Sequence, residues 1–393
     1  MASQTPYTLR WGIMATGWIA ETFCKDLLTN PAARGVHDVA HKITAVASLQ
    51  GPARATSFLQ KIDGPTDAAT YGTYAELVAD PDVDIIYVAT PHSHHFQNAM
   101  LALEAGKNVL CEKAFTVTES QTRKLVEKAR SKGLFLMEAV WTRYFPWSIQ
   151  IRELVKSGAI GRVHRVISDL SAGDDKGDGT LTWDDSHRMV NAELAGGALL
   201  DLGIYALTWV FQILYHLQPE AEKEAPVVQA AVLNHPTTGT DDQTTIITHF
   251  PAHRSTGIAL TGLRVATDPD GKGTAGPAIR IQGTKGEIAV AHPAYRPERY
   301  TVIKKDGGVE VVDCAVPKDG ARGGHGMFWE ADECARCLRD GKKESEGMPL
   351  EESIVIMRVM EQTWRAGGVV YPDVITTDVF DPQSPLNIGG KKA

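Results

Sequence analysis

LRWGIMATGWIAETFCKDLLT, residues 9–29, decides the fold. Its first six residues read as a short β-strand and WIAETFCKDLLT reads as an amphipathic helix, so a strand turns directly into a helix. The turn, Gly12-Ile-Met-Ala-Thr-Gly17-Trp-Ile-Ala20, is an imperfect glycine-rich loop of the kind that rests a nucleotide pyrophosphate on free backbone N–H groups. Aligned on G-x-G-x-x-[GA], the positions are Ala15, Gly17 and Ala20: alanine replaces the first glycine, Gly17 permits close approach of a pyrophosphate, and Ala20 permits close helix–sheet packing. A strand-to-helix turn of no function is the competing reading. Its place at the first βα turn of an α/β chain favours the cofactor, with Ala15, Thr16, Gly17, Trp18 and Ile19 as candidate binding residues.

The same rhythm continues outward. KITAVAS (42–48) leads into ARATSFLQKI, then come YAELVADP, DIIYVAT (84–90), the helix FQNAMLALEAG (96–106), NVLCEK (108–113), the helix SQTRKLVEKARSKG (120–133) closing on a C-cap glycine, and FLMEAVW (135–141) as a sixth strand. Such alternation gives right-handed βαβ crossovers and a doubly wound parallel sheet, a Rossmann domain over residues 1–145. After Pro146 the chain turns β-rich: VHRVISDLSA, VVQAAVLNH, DQTTIITHF, STGIALTGLRV, AIRIQGTKGEIAVAH and YTVIKK are separated by turn formers, with GTKGE (283–287) as a hairpin. Two helices follow, GMFWEADECARCLRDG (326–341) and PLEESIVIMRVMEQTWRAGG (349–368). The fold class is α/β, with residues 146–393 forming a second α/β domain around a large, mostly antiparallel open sheet.

Length and composition agree. The 393 residues suit two domains at about 100 to 200 residues each, and 43% hydrophobic with 22% charged residues is ordinary for a globular chain. Forty-eight acids against forty bases leave a formal charge of −8, so no basic field attracts phosphate backbones and nucleic acid is not an expected partner. Cys24, Cys111, Cys314, Cys334 and Cys337 are odd in number and scattered, which fits reduced thiols and a cytoplasmic location. Neither end, MASQTPYTLRWGIM or GGKKA, carries a readable address. Leu194 to Leu214 approaches the length of a membrane span, but Asp201 and the glycines at 196, 197 and 203 make it a buried helix of a soluble protein, with no membrane partner.

Chemistry gathers at the strand ends. The second strand ends Ala47-Ser48-Leu49-Gln50 with no carboxylate to accept a ribose 2′-OH, while Ser48 and Arg54 could meet a 2′-phosphate; NADP is favoured over NAD, against a merely solvated Arg54. The fourth runs into Thr90-Pro91-His92-Ser93-His94-His95. Three histidines invite a zinc reading, but they leave one loop in different directions with no Cys or acid at ligand spacing, so no metal is expected and Thr90, Pro91, His92 and His95 are assigned to the nicotinamide end. Cys334-x-x-Cys337 has no second CxxC and reads as helix-face thiols. The fifth strand ends Cys111-Glu112-Lys113-Ala114, which puts an acid and an ammonium at the carboxyl edge. In Gly196-Gly197-Ala198-Leu199-Leu200-Asp201-Leu202-Gly203-Ile204-Tyr205, Asp201 and Tyr205 share one face of an apolar helix and either satisfy a core network or face a site.

Together, a G-x-x-x-x-G-x-[IV]-A start, a T-P-x-x-x-H loop, an E-K strand end and a G-G-x-x-x-D-x-G-x-Y helix resemble the Gfo/Idh/MocA oxidoreductase family along the whole chain. GIMATGWIAETFCKDLL, YVATPHSHHFQNAMLALEAGKNVLCEKAFTV, FLMEAVWTRYFP and HGMFWEADECARCLRDG resemble, more narrowly, its fungal NADP-dependent D-xylose 1-dehydrogenases, relatives of the dimeric dihydrodiol dehydrogenases. The resemblance implies a Rossmann domain and an open sheet that covers the active site with one face and often meets its twin in a homodimer with the other. It puts the catalytic lysine on Lys113, the catalytic tyrosine on Tyr205, a substrate-contacting carboxylate on Asp201, and the strip beside the nicotinamide on Trp141, Arg143 and Tyr144. Arg143 is assigned to sugar hydroxyls, and His187 or Arg188 to the loop side of the substrate. Ala114 departs from the proline that most of the family carries after E-K. The implied reaction is oxidation of an aldopyranose, D-xylose, at C1 to the aldonolactone, with Tyr205 as base. A free tyrosine, pKa about 10, is scarcely ionised at neutral pH, and the Lys113 ammonium would favour the phenolate. Two further readings stay open: oxidation of trans-dihydrodiols or reduction of dicarbonyls, and a non-catalytic NADP sensor, against which Lys113, Asp201 and Tyr205 together speak.

Overall fold

The computed structural model describes residues 5–320 and 322–389; most of the GGKKA end and the first four residues lie outside the described residues. Two compact units result, and they follow contacts rather than chain order. The first takes the chain through Trp141, Val316–Ser353 and the segment from Thr376, and the second takes Thr142–Ala315 and Ile354–Ile375. The expected boundary at 145 lies near the first crossing, but two later segments return to the first unit.

In the first unit, six parallel strands lie in the order β3-β2-β1-β4-β5-β6: β1 (Tyr7–Met14), β2 (Val39–Ala47), β3 (Ala69–Tyr71), β4 (Ile85–Val88), β5 (Asn108–Glu112) and β6 (Leu136–Ala139). Between them run α1 (Trp18–Leu27), α2 (Pro52–Lys61), α3 (Tyr74–Ala79), α4 (His95–Glu104) and α5 (Glu119–Lys132). The chain order reverses between β1 and β4, the switch point at whose carboxyl side dinucleotides bind. Local chemistry sets the helix ends. Thr118 and Gln121 form a capping box at the start of α5, which stops at Gly133 in the left-handed region (φ 63°). YAELVADP is helical as α3, started by a Thr73–Glu76 capping box; the third strand is the short segment just before it.

The second unit starts with α6 (Pro146–Lys156) and builds an eight-stranded sheet in the order β14-β13-β12-β11-β7-β10-β9-β8. Its strands are β7 (Val163–Ser171), β8 (Val227–Asn234), β9 (Asp241–Phe250), β10 (Ser255–Gly262), β11 (Ile279–Gly283), β12 (Gly286–Val290), β13 (Arg299–Lys304) and β14 (Val309–Asp313). Every pairing is antiparallel except β7 with β10. Burial alternates along β9 and β10: Ile246, Phe250 and Ala259 are buried beside α7 (Ile204–Leu214), which packs on β7 and β10. The apolar stretch Ala192–Leu214 has the length of a membrane span but is 89% buried over its most apolar window, as a core helix is. In the first unit, β15 (Lys318–Asp319) and β16 (Arg322–Gly323) form a small hairpin before α8 (Phe328–Arg339), and α9 (Leu350–Ala366) carries the chain between units.

Candidate active site

In the first unit, the loop after β1 has the shape its sequence suggests. Ala15 sits at φ 84°, the left-handed region glycine adopts at no steric cost, so alanine keeps the turn in place of the first glycine. Gly17 caps α1 without a side-chain hydrogen bond, and a Cβ built on it meets nothing within 4 Å. That open cradle faces a helix start whose first N–H groups have no intrahelical acceptors, the arrangement a pyrophosphate requires. Along the same edge the Thr90 hydroxyl is buried and has no hydrogen-bond partner among the described residues. The orphaned hydroxyl and the cradle fit a dinucleotide.

At the end of β2, Ser48 is nearly buried and its hydroxyl accepts from Gln50 N (3.3 Å), while Arg54 lies exposed in the first turn of α2. No carboxylate stands at that strand end. The three histidines after β4 diverge. His94 Nδ1 meets the Ser93 hydroxyl at 2.8 Å, and the His92 and His95 rings meet edge to face at 5.6 Å. His95 is buried, with Nδ1 2.8 Å from Ala114 O and Nε2 2.9 Å from Thr90 O. Burial pushes its pKa down to about 4 against the pull of those carbonyls, so the neutral ring donates to one of them at a time. His95 thus braces the loops after β4 and β5, and Glu138 Oε1 strengthens the brace by accepting from Phe115 N (3.0 Å). In that braced segment Lys113 is half-buried and joined to Ala114 by a cis peptide bond. Glu112 accepts from Tyr87 OH (2.5 Å) and from Lys113 N (3.2 Å). Glu330 is buried nearby, and burial together with the charges of Glu112 and Asp26 raises its pKa well above the usual carboxyl range.

The second unit gathers another set. The helix carrying the G-G-x-x-x-D-x-G-x-Y motif opens with a π-helical turn, Leu199–Gly203, with Asp201 in its middle, and continues as α7 with Tyr205 in its first turn. Such widened turns recur at functional sites. Asp201 pairs with Arg188 at 3.1 Å, which ties one of the expected loop residues to this helix, while His187 stacks on Trp183 of the same loop with ring centroids 5.4 Å apart. Arg143 is fully buried; its carbonyl accepts from Arg152 Nη1 (3.0 Å), which also donates to Gln212 of α7 (2.8 Å). Tyr144 is nearly buried too.

Two aromatic residues were not marked by the sequence. Tyr295 lies 5.8 Å from Tyr205 between ring centroids, on a segment held by Thr142 Oγ1 donating to Tyr295 O (2.5 Å) and Trp209 Nε1 donating to Ala294 O (2.8 Å). His325 of the first unit stacks on Trp141 (5.8 Å) and meets Trp18 edge to face (6.0 Å). Cys334 and Cys337 are buried thiols whose pKa values burial raises.

Comparison with known proteins agrees with this architecture. The model of the Gfo/Idh/MocA oxidoreductase family with an NAD-binding Rossmann fold matches residues 9–140, and that of the GFO/IDH/MocA C-terminal domain matches residues 148–289. D-xylose 1-dehydrogenase (NADP(+)) of Hypocrea jecorina is 66% identical over 394 residues, covering 100% of both chains. Human trans-1,2-dihydrobenzene-1,2-diol dehydrogenase is 35% identical over 367 residues, covering 93% of this chain and 98% of that one. Among solved structures, levoglucosan dehydrogenase in complex with NADH and levoglucosan superposes with a TM-score of 0.75 at 18% identity, covering 92% and 97% of the two chains, which shows a shared fold. The chain belongs to the Gfo/Idh/MocA oxidoreductase family.

Proposed function

We propose that the chain is an NADP-dependent dehydrogenase that oxidises D-xylose, as its pyranose, at C1 to the aldonolactone. The observation that carries this reading is the 66% identity, over both full lengths, to the NADP(+) D-xylose 1-dehydrogenase; the dihydrodiol dehydrogenases stand further off, at 36% or less. The first unit takes the cofactor: the Ala15 to Ile19 loop for the pyrophosphate, Ser48 and Arg54 for the 2′-phosphate, and the Thr90 to His92 edge with Glu112 and Lys113 for the nicotinamide side. The second unit contributes Tyr205, Asp201 and Tyr144 for the sugar.

When bound, NADP+ supplies the acceptor for the C1 hydride. Tyr205 removes the O1 proton as the C1–O1 bond becomes a carbonyl. Lys113 offsets negative charge that develops on the oxygen, the kind of fixed charge that lowers a barrier most when held in place. Asp201, already ordered by Arg188, accepts from a ring hydroxyl, and Trp141 and Tyr144 present flat apolar surface to the sugar face. Arg143, expected on the sugar hydroxyls, is instead fully enclosed, and its carbonyl, bonded by Arg152, holds the strip that carries those rings.

The test is absorbance at the reduced-nicotinamide band with purified protein, NADP+ and D-xylose, repeated with D-glucose and a trans-dihydrodiol. The expected result is a rapid rise with xylose; a rise with the diol alone would replace the sugar assignment.

The assembly is a homodimer through the second unit's sheet. The face away from α7 carries Leu233 and Val309, each 65% exposed, with Val227, Ile303 and Val311 at its edges, and half-buried Ile167, Ile247, Ile258 and Leu260 between them. So much apolar surface on one flat face suits a second copy related by a two-fold axis, in which each substitution counts twice. Ile258→Asp should therefore convert a dimer to a monomer in sedimentation velocity, and a wild-type monomer would overturn the assignment. The five buried thiols, none in a disulfide, support the cytoplasm as the compartment.

A further inference from the structure

We infer that His325 is a cofactor-contacting residue, presented over the pyrophosphate and the adjoining nicotinamide ribose of bound NADP; the inference rests on the NADP-dependent reading above. Trp18 opens α1 at the pyrophosphate loop and is 65% exposed, unusual for so large an apolar ring. Trp141 follows β6 at the carboxyl edge of the sheet. His325 bridges them, edge-on to Trp18 at 6.0 Å and stacked on Trp141 at 5.8 Å. In the strand order, the stretch from the start of α1 towards β6 passes β4 and β5, the nicotinamide side, whereas the adenine side lies over β2 and β3. A polar ring spanning that stretch overlies the half of the cofactor running from the pyrophosphate to the nicotinamide.

The backbone is shaped for this presentation. Gly324 (φ 113°) and Gly326 (φ 86°) flank His325 in conformations that residues with a Cβ rarely adopt. The segment is tied to the far end of α1 and to the turn after it: Asn30 N donates to Asp319 (2.9 Å) on one side, and Met327 N donates to Asp26 Oδ2 (2.7 Å) on the other. Both anchors lie in the first unit with the loop that His325 overlies, so the imidazole is held at the cofactor loop and can donate to an oxygen of the nicotinamide-side phosphate or of the adjoining ribose.

Calorimetric titration of the full-length protein tests this with two ligands: NADP+, and 2′,5′-ADP, which carries the adenosine, its 2′-phosphate and the adenine-side phosphate but lacks the nicotinamide-side phosphate, the nicotinamide and its ribose. His325→Phe keeps a flat ring between the tryptophans and loses the donor, and His325→Ala removes both. His325→Phe should raise the Kd for NADP+ about tenfold, the scale of one lost hydrogen bond to a charged group, and leave 2′,5′-ADP unchanged; Arg54→Ala should weaken both ligands. Unchanged NADP+ affinity in His325→Phe and His325→Ala would overturn the assignment, as would equal weakening of both ligands by either variant, which would move His325 to the adenine half. Failure of the wild type to bind NADP+ would instead sink the cofactor reading.

Discussion

Tyr205→Phe should give a folded protein that binds NADP+ normally and oxidises D-xylose about 10²- to 10⁴-fold more slowly, the range for removing a positioned proton acceptor. Tyr205 is 7% exposed in the first turn of α7, against Tyr295, so phenylalanine fills the same space and only the hydroxyl is lost. In the proposed role that hydroxyl acts on O1 as the proton leaves, so the loss belongs to the transition state: kcat and kcat/KM should fall together while KM stays near the wild-type value. Steady-state rates at the reduced-nicotinamide band, with cofactor titration as a control, measure both. Wild-type turnover in this variant would remove Tyr205 from the chemistry and leave Lys113 as the remaining proton-handling candidate.

Much of this was legible in the sequence because it follows period and position. Strand-to-helix alternation over residues 9–141 fixes a doubly wound sheet, and a lysine after NVLCE must then lie at its carboxyl edge, where Lys113 is found. Alternating β-segments likewise fix the antiparallel sheet. The missed features lack such a signal. β3 has three residues, too few to show any period, and a capping box turns the apolar segment after it into a helix. β14 is short and mostly exposed, so it lacks the alternation of a half-buried strand. The return of Val316–Ser353 to the first unit is a matter of long-range packing. Tyr295 and His325 stand on loops, placed by hydrogen bonds to residues far away in the chain. Arg143 is completely buried, and its carbonyl is bonded by Arg152, which also reaches Gln212; no motif links the three.

In the sequence Gly196-Gly197 marks a family signature and speaks against a membrane span; the structure supplies its physical reason, from which the largest stability effect follows. A Cβ on Gly196 would press on main-chain atoms of Arg188 and Asn191, and one on Gly197, at φ 123°, would overlap the Asp241 carboxylate. That carboxylate is buried, accepting from Leu199 N (2.7 Å) and Thr244 Oγ1 (3.0 Å), and so anchors the first turn of the helix bearing Asp201 and Tyr205. Gly197→Ala adds a backbone conformation costing about 1 to 2 kcal/mol to overpacking worth about 1 to 3 kcal/mol. Urea denaturation should show a loss of about 2 to 5 kcal/mol, and activity should fall with the displaced turn; a midpoint within experimental error of wild type would refute the anchor. The anchor also carries a pH signature. Burial raises Asp241 to about 6 despite the hydrogen bonds it accepts. The folded state therefore holds this proton where the unfolded chain, near 3.9, has lost it. Stability from this group is greatest below about pH 4 and declines by about 3 kcal/mol as pH rises to about 6, then stays level. Asp241→Asn cannot titrate, so its stability relative to wild type should climb through that window; a flat difference would mean that Asp241 ionises in the fold as readily as in the unfolded chain.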